Sequence, residues 1–261
     1  MLKIFTKQTL KTLNIAPLVA LLALSFLSCT PKVYKINRIE GKQIAIDSTI
    51  APNEKVAQFI LPYQEKLNKE MEVILAYTPT TLTRERNEPE TSLGNFVADL
   101  ALKRAQTKFY DLTGKNIDFV LLNAGGLRSD LNKGNVTVGN AYEVMPFENS
   151  LIVVEIDYDK FLELLEYYGV SKNPHPISHN LKLTFKDDKL EKYALNGTEN
   201  LKLKSYYVLT NDYLANGGDN MNFFLNPISA TEINYKVRDA LLDELIAIDT
   251  INQTLDNRVE R

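Results

Sequence analysis

The chain has 261 residues, is 44% hydrophobic and 24% charged, and carries a formal net charge of −3. That composition belongs to a folded domain, or two small ones, and excludes a disordered or low-complexity chain. Lys and Arg are scattered rather than clustered, so charge alone draws it neither to a nucleic acid polymer nor to an anionic lipid surface.

The N-terminal stretch differs from the rest. Lys3, Lys7 and Lys11 form a basic start, and Ala16 to Leu27 is apolar, interrupted only by Pro17 and Ser25. The run falls well short of the roughly 20 residues a membrane-spanning helix needs, and the order of parts is that of a secretory signal peptide. Cys29, the single cysteine, follows Phe26-Leu27-Ser28. Residues 1–29 thus resemble a bacterial lipoprotein signal, although Phe26 stands where such signals usually place Leu. The resemblance implies Cys29 as the lipidated first residue of an extracytoplasmic, membrane-anchored protein, periplasmic or at the cell surface. An ordinary signal peptide with an incidental cysteine is the alternative. With one cysteine no disulfide forms within the chain, so stability rests on the core.

Residues 30–44 read as a polar tether and first strand region, with strand-like alternation around Ile44 and Ile46. A domain over residues 45–261 follows. Pro52 opens a helical pattern carrying Val56, Phe59, Ile60, Tyr63 and Leu67, in which Pro62 should introduce a kink. After a polar connection, a helix is expected from about Thr91 to Phe109, with Leu93, Phe96, Val97, Leu100 and Ala101 on its apolar face. Residues 117–122 (IDFVLL) read as a strand covered on both faces, and the loop NAGGLRSD follows at once. Val136 to Val138 is extended, and Asn140 to Met145 is a helical turn ended by Pro146.

Residues 151–156 (LIVVEI) make another buried strand. Asp157 caps the helix after it, which should close on Gly169. An irregular loop with two prolines leads to a hairpin, LKLTF and LEKYAL around the turn DDK, before Asn196-Gly197. Tyr206 to Thr210 is a strand running into a second Gly-Gly loop, LANGGDN at 214–220. A last helix spans about Asn234 to Ile248. Helices and strands alternate without a repeat, so one mixed α/β domain is the simplest architecture.

Familiar chemistry is missing. There is no G-x-G-x-x-G and no Walker sequence. His175 and His179 stand four apart, but Pro174 and Pro176 oppose a helix there, so both read as surface-loop residues rather than metal ligands. No His-rich or carboxylate-rich run suits a two-metal centre. Ser129 and Ser150 lack any signature of a nucleophile. What remains are the two Gly-Gly loops. A loop leaving the carboxyl end of a buried strand is a common ligand site in α/β folds. Glycines let ligand or backbone approach closely, Asn123 and Arg128 offer directional donors, and Asp219 suits paired ribose hydroxyls. Phe147 and Tyr213 are flat surfaces at loop positions that can sandwich a nucleobase. Core packing for the rings and plain turns for the glycines are the alternatives, and spacing alone does not bring the loops together.

The run NAGGLRSDLNKGNVTVGNAYEVMPFENSLIVVEI (123–156) resembles the 5'-nucleotidase C-terminal domain family. LTNDYLANGGDN (209–220) matches its second signature, and ETSLGNFVADLA (90–101) its first helix. In order, these place roughly residues 45–250 in that domain, which implies a four-layer α/β/β/α arrangement. The family's full-length enzymes are extracytoplasmic phosphohydrolases of nucleotides. An N-terminal metallophosphatase domain holds two metal ions, and the C-terminal domain binds the nucleoside and delivers the phosphate by domain rotation. The resemblance carries the nucleoside site onto Asn123, Arg128, Phe147, Tyr213 and Asp219. The two rings would sandwich the base, Asn123 and Arg128 would hold the base edge and the sugar or phosphate side, and Asp219 the ribose.

Two departures follow. Ser92 stands where several nucleotidases have an Arg, and the sequence before the matched region lacks metallophosphatase motifs. The expectation is therefore a substrate-recognition half that binds no cofactor itself and contributes no catalytic residue. A separate metallophosphatase subunit would carry the divalent metals. A non-catalytic nucleoside- or nucleotide-binding surface lipoprotein is the second reading, and an unaided hydrolase the third.

Overall fold

The computed structural model describes residues 34–85 and 88–261. The signal-peptide and lipidation readings, Cys29 included, lie outside the described residues. The chain divides into two units between Asn53 and Glu54. In the first unit, residues 34–53 are exposed and carry neither helix nor strand. The strand expected around Ile44 and Ile46 does not form: both side chains are exposed, and alternation without a pairing partner leaves the backbone donors to water.

The second unit, Glu54–Arg261, opens with α1 (Glu54–Met71), none of whose residues is buried. It remains one helix through Pro62; the proline costs the Gln58 carbonyl its intrahelical partner, which solvent replaces on so exposed a helix. Strand β1 (Ile74–Thr78) then pairs antiparallel with β3 (Gly134–Thr137). Helix α2 (Ser92–Thr113) begins where Thr91 Oγ1 accepts the Gly94 N–H at 3.0 Å and ends on Gly114, left-handed at φ +69. A hydroxyl before the first turn and a glycine after the last are the local start and stop signals of a helix.

The central sheet has the order β2-β8-β4-β9: β2 is Phe119–Val120, β4 Ser150–Asp157, β8 Ser205–Asn211 and β9 Ser229–Lys236. A second sheet, β10-β5-β6-β7, holds β5 (Leu181–Lys186), β6 (Lys189–Leu195), β7 (Thr198–Glu199) and β10 (Val259–Glu260). Its hairpin turns sit where the sequence placed them, because Asp187-Asp188 and Asn196-Gly197 adopt the paired positive φ of tight hairpin turns.

Alternation along β4 explains why the sheet is buried on both faces. Leu151 and Val153 join one core with Val120, Leu209, Leu93 and Val97 of α2, and Leu241 and Leu245 of α6 (Val237–Ala247). Ile152, Val154 and Ile156 join the other with Phe161 and Leu165 of α4 (Tyr158–Ser171) and with Leu183 and Tyr193 of the second sheet. Helices, central sheet and second sheet with α4 thus layer as a mixed α/β domain of the expected kind. Two short helices, α3 (Val138–Val144) and α5 (Asp212–Ala215), border the sheet's loops.

Several boundaries differ from expectation: α2 runs past Phe109 to Thr113, and α3 already begins at Val138, which was expected to be extended. Asp157 caps α4 as anticipated, its carboxylate accepting the Lys160 N–H at 2.9 Å, but the helix passes Gly169 and closes at Lys172, φ +51. Gly169 serves packing instead: a Cβ there would lie 2.8 Å from the Phe185 ring and 2.9 Å from the Asp188 carbonyl. The last helix begins at Val237, not Asn234, because Asn234 to Lys236 complete β9 against β4, with a register shift beside Asn234 at φ +50. Local periodicity does not distinguish a bulged strand end from the first turn of the helix it feeds.

Candidate ligand-binding site

Sheet topology brings together what sequence spacing left apart. β2 and β8 are adjacent and parallel, with Phe119 opposite Val208 and Val120 opposite Leu209. The two Gly-Gly loops therefore leave the same end of neighbouring strands. β4 runs antiparallel to β8, with Leu151 opposite Asn211, so the segment entering β4, which carries Phe147, arrives at that end too. Such carboxyl-end crevices are where α/β sheets place ligands.

In the first loop, Asn123 is extended and Ala124–Gly126 forms a short 3-10 turn, the Gly126 N–H reaching the Asn123 carbonyl at 3.0 Å. Neither glycine needs a positive φ. Gly126 is required for room, since a Cβ would stand 3.1 Å from Asn123 Oδ1, whereas Gly125 faces the cleft with only Asn123 Nδ2 near it, at 3.8 Å. In the second loop, Gly217 is left-handed at φ +82, and Asp219 and Asn220 follow at +53 and +61. A Cβ on Gly218 would lie 2.6 Å from both the ring and the carbonyl of Tyr213, so the bare backbone there seats that ring.

Asn211 ties the loops together. Its Oδ1 accepts the Leu214 N–H at 2.9 Å, capping α5, and its Nδ2 donates to Asn123 Oδ1 at 2.8 Å. Asn123 therefore commits its carbonyl to the scaffold and keeps its NH2 for the cleft. Asp219 Oδ1 accepts the Tyr213 hydroxyl at 2.8 Å, and the Asp219 carbonyl accepts the Tyr167 hydroxyl at 2.8 Å. The bond to Asp219 raises the Tyr213 phenol above its ordinary pKa, and burial does the same for Tyr167.

Asn123, Gly125, Phe147, Asn149, Tyr213 and Asp219 line one cleft of about 290 Å³. Phe147 is 48% exposed and Tyr213 44%, so neither ring is spent on the core. Four of the five residues singled out from sequence thus meet. Arg128 does not line the cleft but lies beside it, its guanidinium carbon 5.8 Å from the centre of the Phe147 ring. Ser92 uses its hydroxyl on the Thr83 N–H at 2.9 Å.

Sequence reasoning missed Asn149, which donates to Asp212 Oδ1 at 2.7 Å at the cleft wall, and Asn211, whose position before Asp212-Tyr213 is a readable cap signal. It also misplaced His175. That histidine is not a surface residue: it is 3% exposed and its Nδ1 accepts the Ala124 N–H at 3.3 Å, propping the first Gly-Gly loop. Tyr168 and the fold of α4 cover it, which no local signal announces. His179 is exposed, against Asp99 at 3.0 Å. Among the described residues no group of three or more His, Cys, Asp or Glu is placed to hold a metal ion, and no helix is long and apolar enough to cross a membrane.

Residues 70–226 match the family model described as 5'-nucleotidase, C-terminal domain. The trifunctional nucleotide phosphoesterase protein YfkN of Bacillus subtilis is 25% identical over 224 residues, 77% of this chain and 15% of that protein. Cell wall protein Lmo0130 of Listeria monocytogenes is 34% identical over 172 residues, 57% of this chain and 21% of that one. The crystal structure of a 5'-nucleotidase precursor from Thermus thermophilus superposes with a TM-score of 0.66 at 23% identity, covering 80% of this chain and 44% of its own. The chain therefore spans less than half the length of each of these proteins.

Proposed function

The chain belongs to the 5'-nucleotidase C-terminal domain family, and on that premise we propose that it is the nucleotide-recognition part of a 5'-nucleotidase-type phosphohydrolase. In this reading it acts outside the cytoplasm, held to a membrane through Cys29. A separate metallophosphatase subunit carries the divalent metals, and this chain binds none. The observation that carries the proposal is the convergence of two half-exposed rings, Phe147 and Tyr213, on one cleft with Asn123, Asn149 and Asp219.

A base between the rings gains roughly 1–3 kcal/mol of stacking. The free NH2 of Asn123 faces the base edge. Asp219, fixed by Tyr213 through one carboxylate oxygen, keeps the other for ribose hydroxyls. Arg128, beside Phe147, supplies the cation for the phosphate side. Hydrolysis itself falls to metals on the partner, which polarise the phosphoryl group and activate water. The likeness to a cell wall protein supports the extracytoplasmic placement.

The test is calorimetry of adenosine and AMP against the full chain, alongside Phe147→Ala and Tyr213→Ala. Each substitution is expected to weaken binding by about tenfold, and unchanged affinity in both ends the sandwich reading. Phosphate release from AMP on mixing with a metallophosphatase subunit then separates the split enzyme from the second reading, a binding lipoprotein without hydrolysis.

A further inference from the structure

Phe147 is presented by a turn without regular structure, residues 145–149 between α3 and β4. What fixes this turn comes from the far end of the sequence, where β9 passes into α6. Arg238 is 5% exposed, and its Nη1 donates to the carbonyls of Met145 at 3.2 Å and of Phe147 at 3.3 Å. Its Nη2 pairs with the Glu148 carboxylate, which also takes Lys236 Nζ. The guanidinium carbon lies 4.3 Å from the centre of the Tyr142 ring. The Val237 N–H donates to the Asn149 carbonyl at 3.0 Å. Lys236, Val237 and Arg238 therefore hold the turn at both ends and in its middle.

As a source of stability this is a poor choice. Arg238 Nε is buried without a hydrogen-bond partner, and a desolvated guanidinium is generally matched or bettered by a well-packed apolar side chain. What an apolar residue does not provide is a fork that takes two carbonyls and a carboxylate at once, and neither does Lys. Arg238 is absent from the residues lining the cleft.

We propose that Arg238 is a positioning residue for the Phe147 wall of the cleft. Without touching the ligand, it locks the Phe147 backbone so that the ring stands in place before a ligand arrives. The role of the ring in binding rests on the proposed function; the latch does not.

The chain contains no Trp, so Phe147→Trp gives a single tryptophan on the turn, excited at the red edge where tyrosine does not absorb, and Tyr110→Trp gives a control on α2 with similar exposure. Anisotropy decay is measured in each reporter, without ligand, before and after adding Arg238→Lys or Arg238→Met. The slow, ordered fraction at position 147 is expected to fall in both variants, more with Met, while that at position 110 stays. An unchanged decay at 147, or an equal loss at 110, overturns the proposal, and the milder Lys variant decides if the Met variant does not fold. In the otherwise native chain, adenosine affinity is expected to weaken roughly three- to tenfold in Arg238→Lys, the cost of ordering one side chain and its turn on binding. If the native chain binds no adenosine or AMP while the anisotropy change is seen, the function reading fails and the latch stands.

Discussion

The Tyr213 hydroxyl and Asp219 hold each other twice: the hydroxyl donates to Asp219 Oδ1 at 2.8 Å and accepts the Asp219 N–H at 3.2 Å. One phenol thereby closes the second Gly-Gly loop. It also fixes the carboxylate that the proposed function sets against the ribose. Tyr213 is at once a wall of the cleft and a brace for its acceptor.

Tyr213→Phe keeps the ring and removes the brace, so adenosine binding is expected to weaken less than in Tyr213→Ala. The same bond to Asp219 raises the phenol's pKa. A phenol raised in the fold stabilises it below the ordinary tyrosine value, and that contribution is lost as pH climbs through the raised one. Absorbance titration should show one late-ionising phenol fewer in Tyr213→Phe; identical curves would contradict the bond.

The glycines of the two loops should answer differently to one methyl group. Gly218→Ala forces a Cβ to 2.6 Å from the Tyr213 ring and should cost about 1–3 kcal/mol in denaturant unfolding. Gly125→Ala meets nothing closer than Asn123 Nδ2 at 3.8 Å, so stability should stay within about 0.5 kcal/mol. Its methyl stands in the cleft, and affinity for adenosine should drop. Equal stabilities for the two variants would refute the distinction.

Asn211→Asp retains an acceptor for the Leu214 N–H but replaces the donor to Asn123 Oδ1. Asn123 must then turn its NH2 toward the carboxylate and away from the cleft. Adenosine affinity is expected to fall by about tenfold while the unfolding midpoint moves little. A large stability loss with intact binding would reverse this assignment.

Outside the residues that line the cleft, fully buried Arg258 binds Asp99 at 2.9 Å, Asp256 at 2.7 Å and the Ile177 carbonyl at 2.8 Å, while Glu90 accepts the N–H groups of residues 256–258. Arg258→Met strands these carboxylates and should cost about 3–5 kcal/mol. Burial alone would raise the Asp256 carboxyl, but Arg258 outweighs it and holds it below its ordinary value. Stability from this pair is therefore present above the ordinary carboxylate pKa and lost as pH falls through the lowered one. Urea midpoints followed into acid should show the loss in the native chain and a flatter profile in Arg258→Met.

Much of this was legible where the signal is local. Asp157 announces α4, Thr91 opens α2, and Asp187-Asp188 marks a hairpin, because caps and tight turns act within a few residues, whereas the stop at Gly114 was missed and α2 was expected to end at Phe109. The five site candidates were also readable as polar and aromatic residues on loops, four of them now on one cleft. Long-range features were not. The meeting of the loops depends on β2 pairing with β8, the burial of His175 on α4, and the end of β9 on β4. Ile44 and Ile46 show the converse, alternation with nothing to pair against.

The parallel pairing of β2 with β8 has a consequence for how the site comes into being. Its walls are drawn from residues near 123, 147 and 213, and no short piece of the chain contains them all. Closing so long a segment is slow and entropically costly before the sheet rewards it. A fragment or a half-folded intermediate accordingly has no cleft. Ligand capture is then an all-or-none property of the finished domain, and any molecule held there protects every strand at once against unfolding and proteolysis.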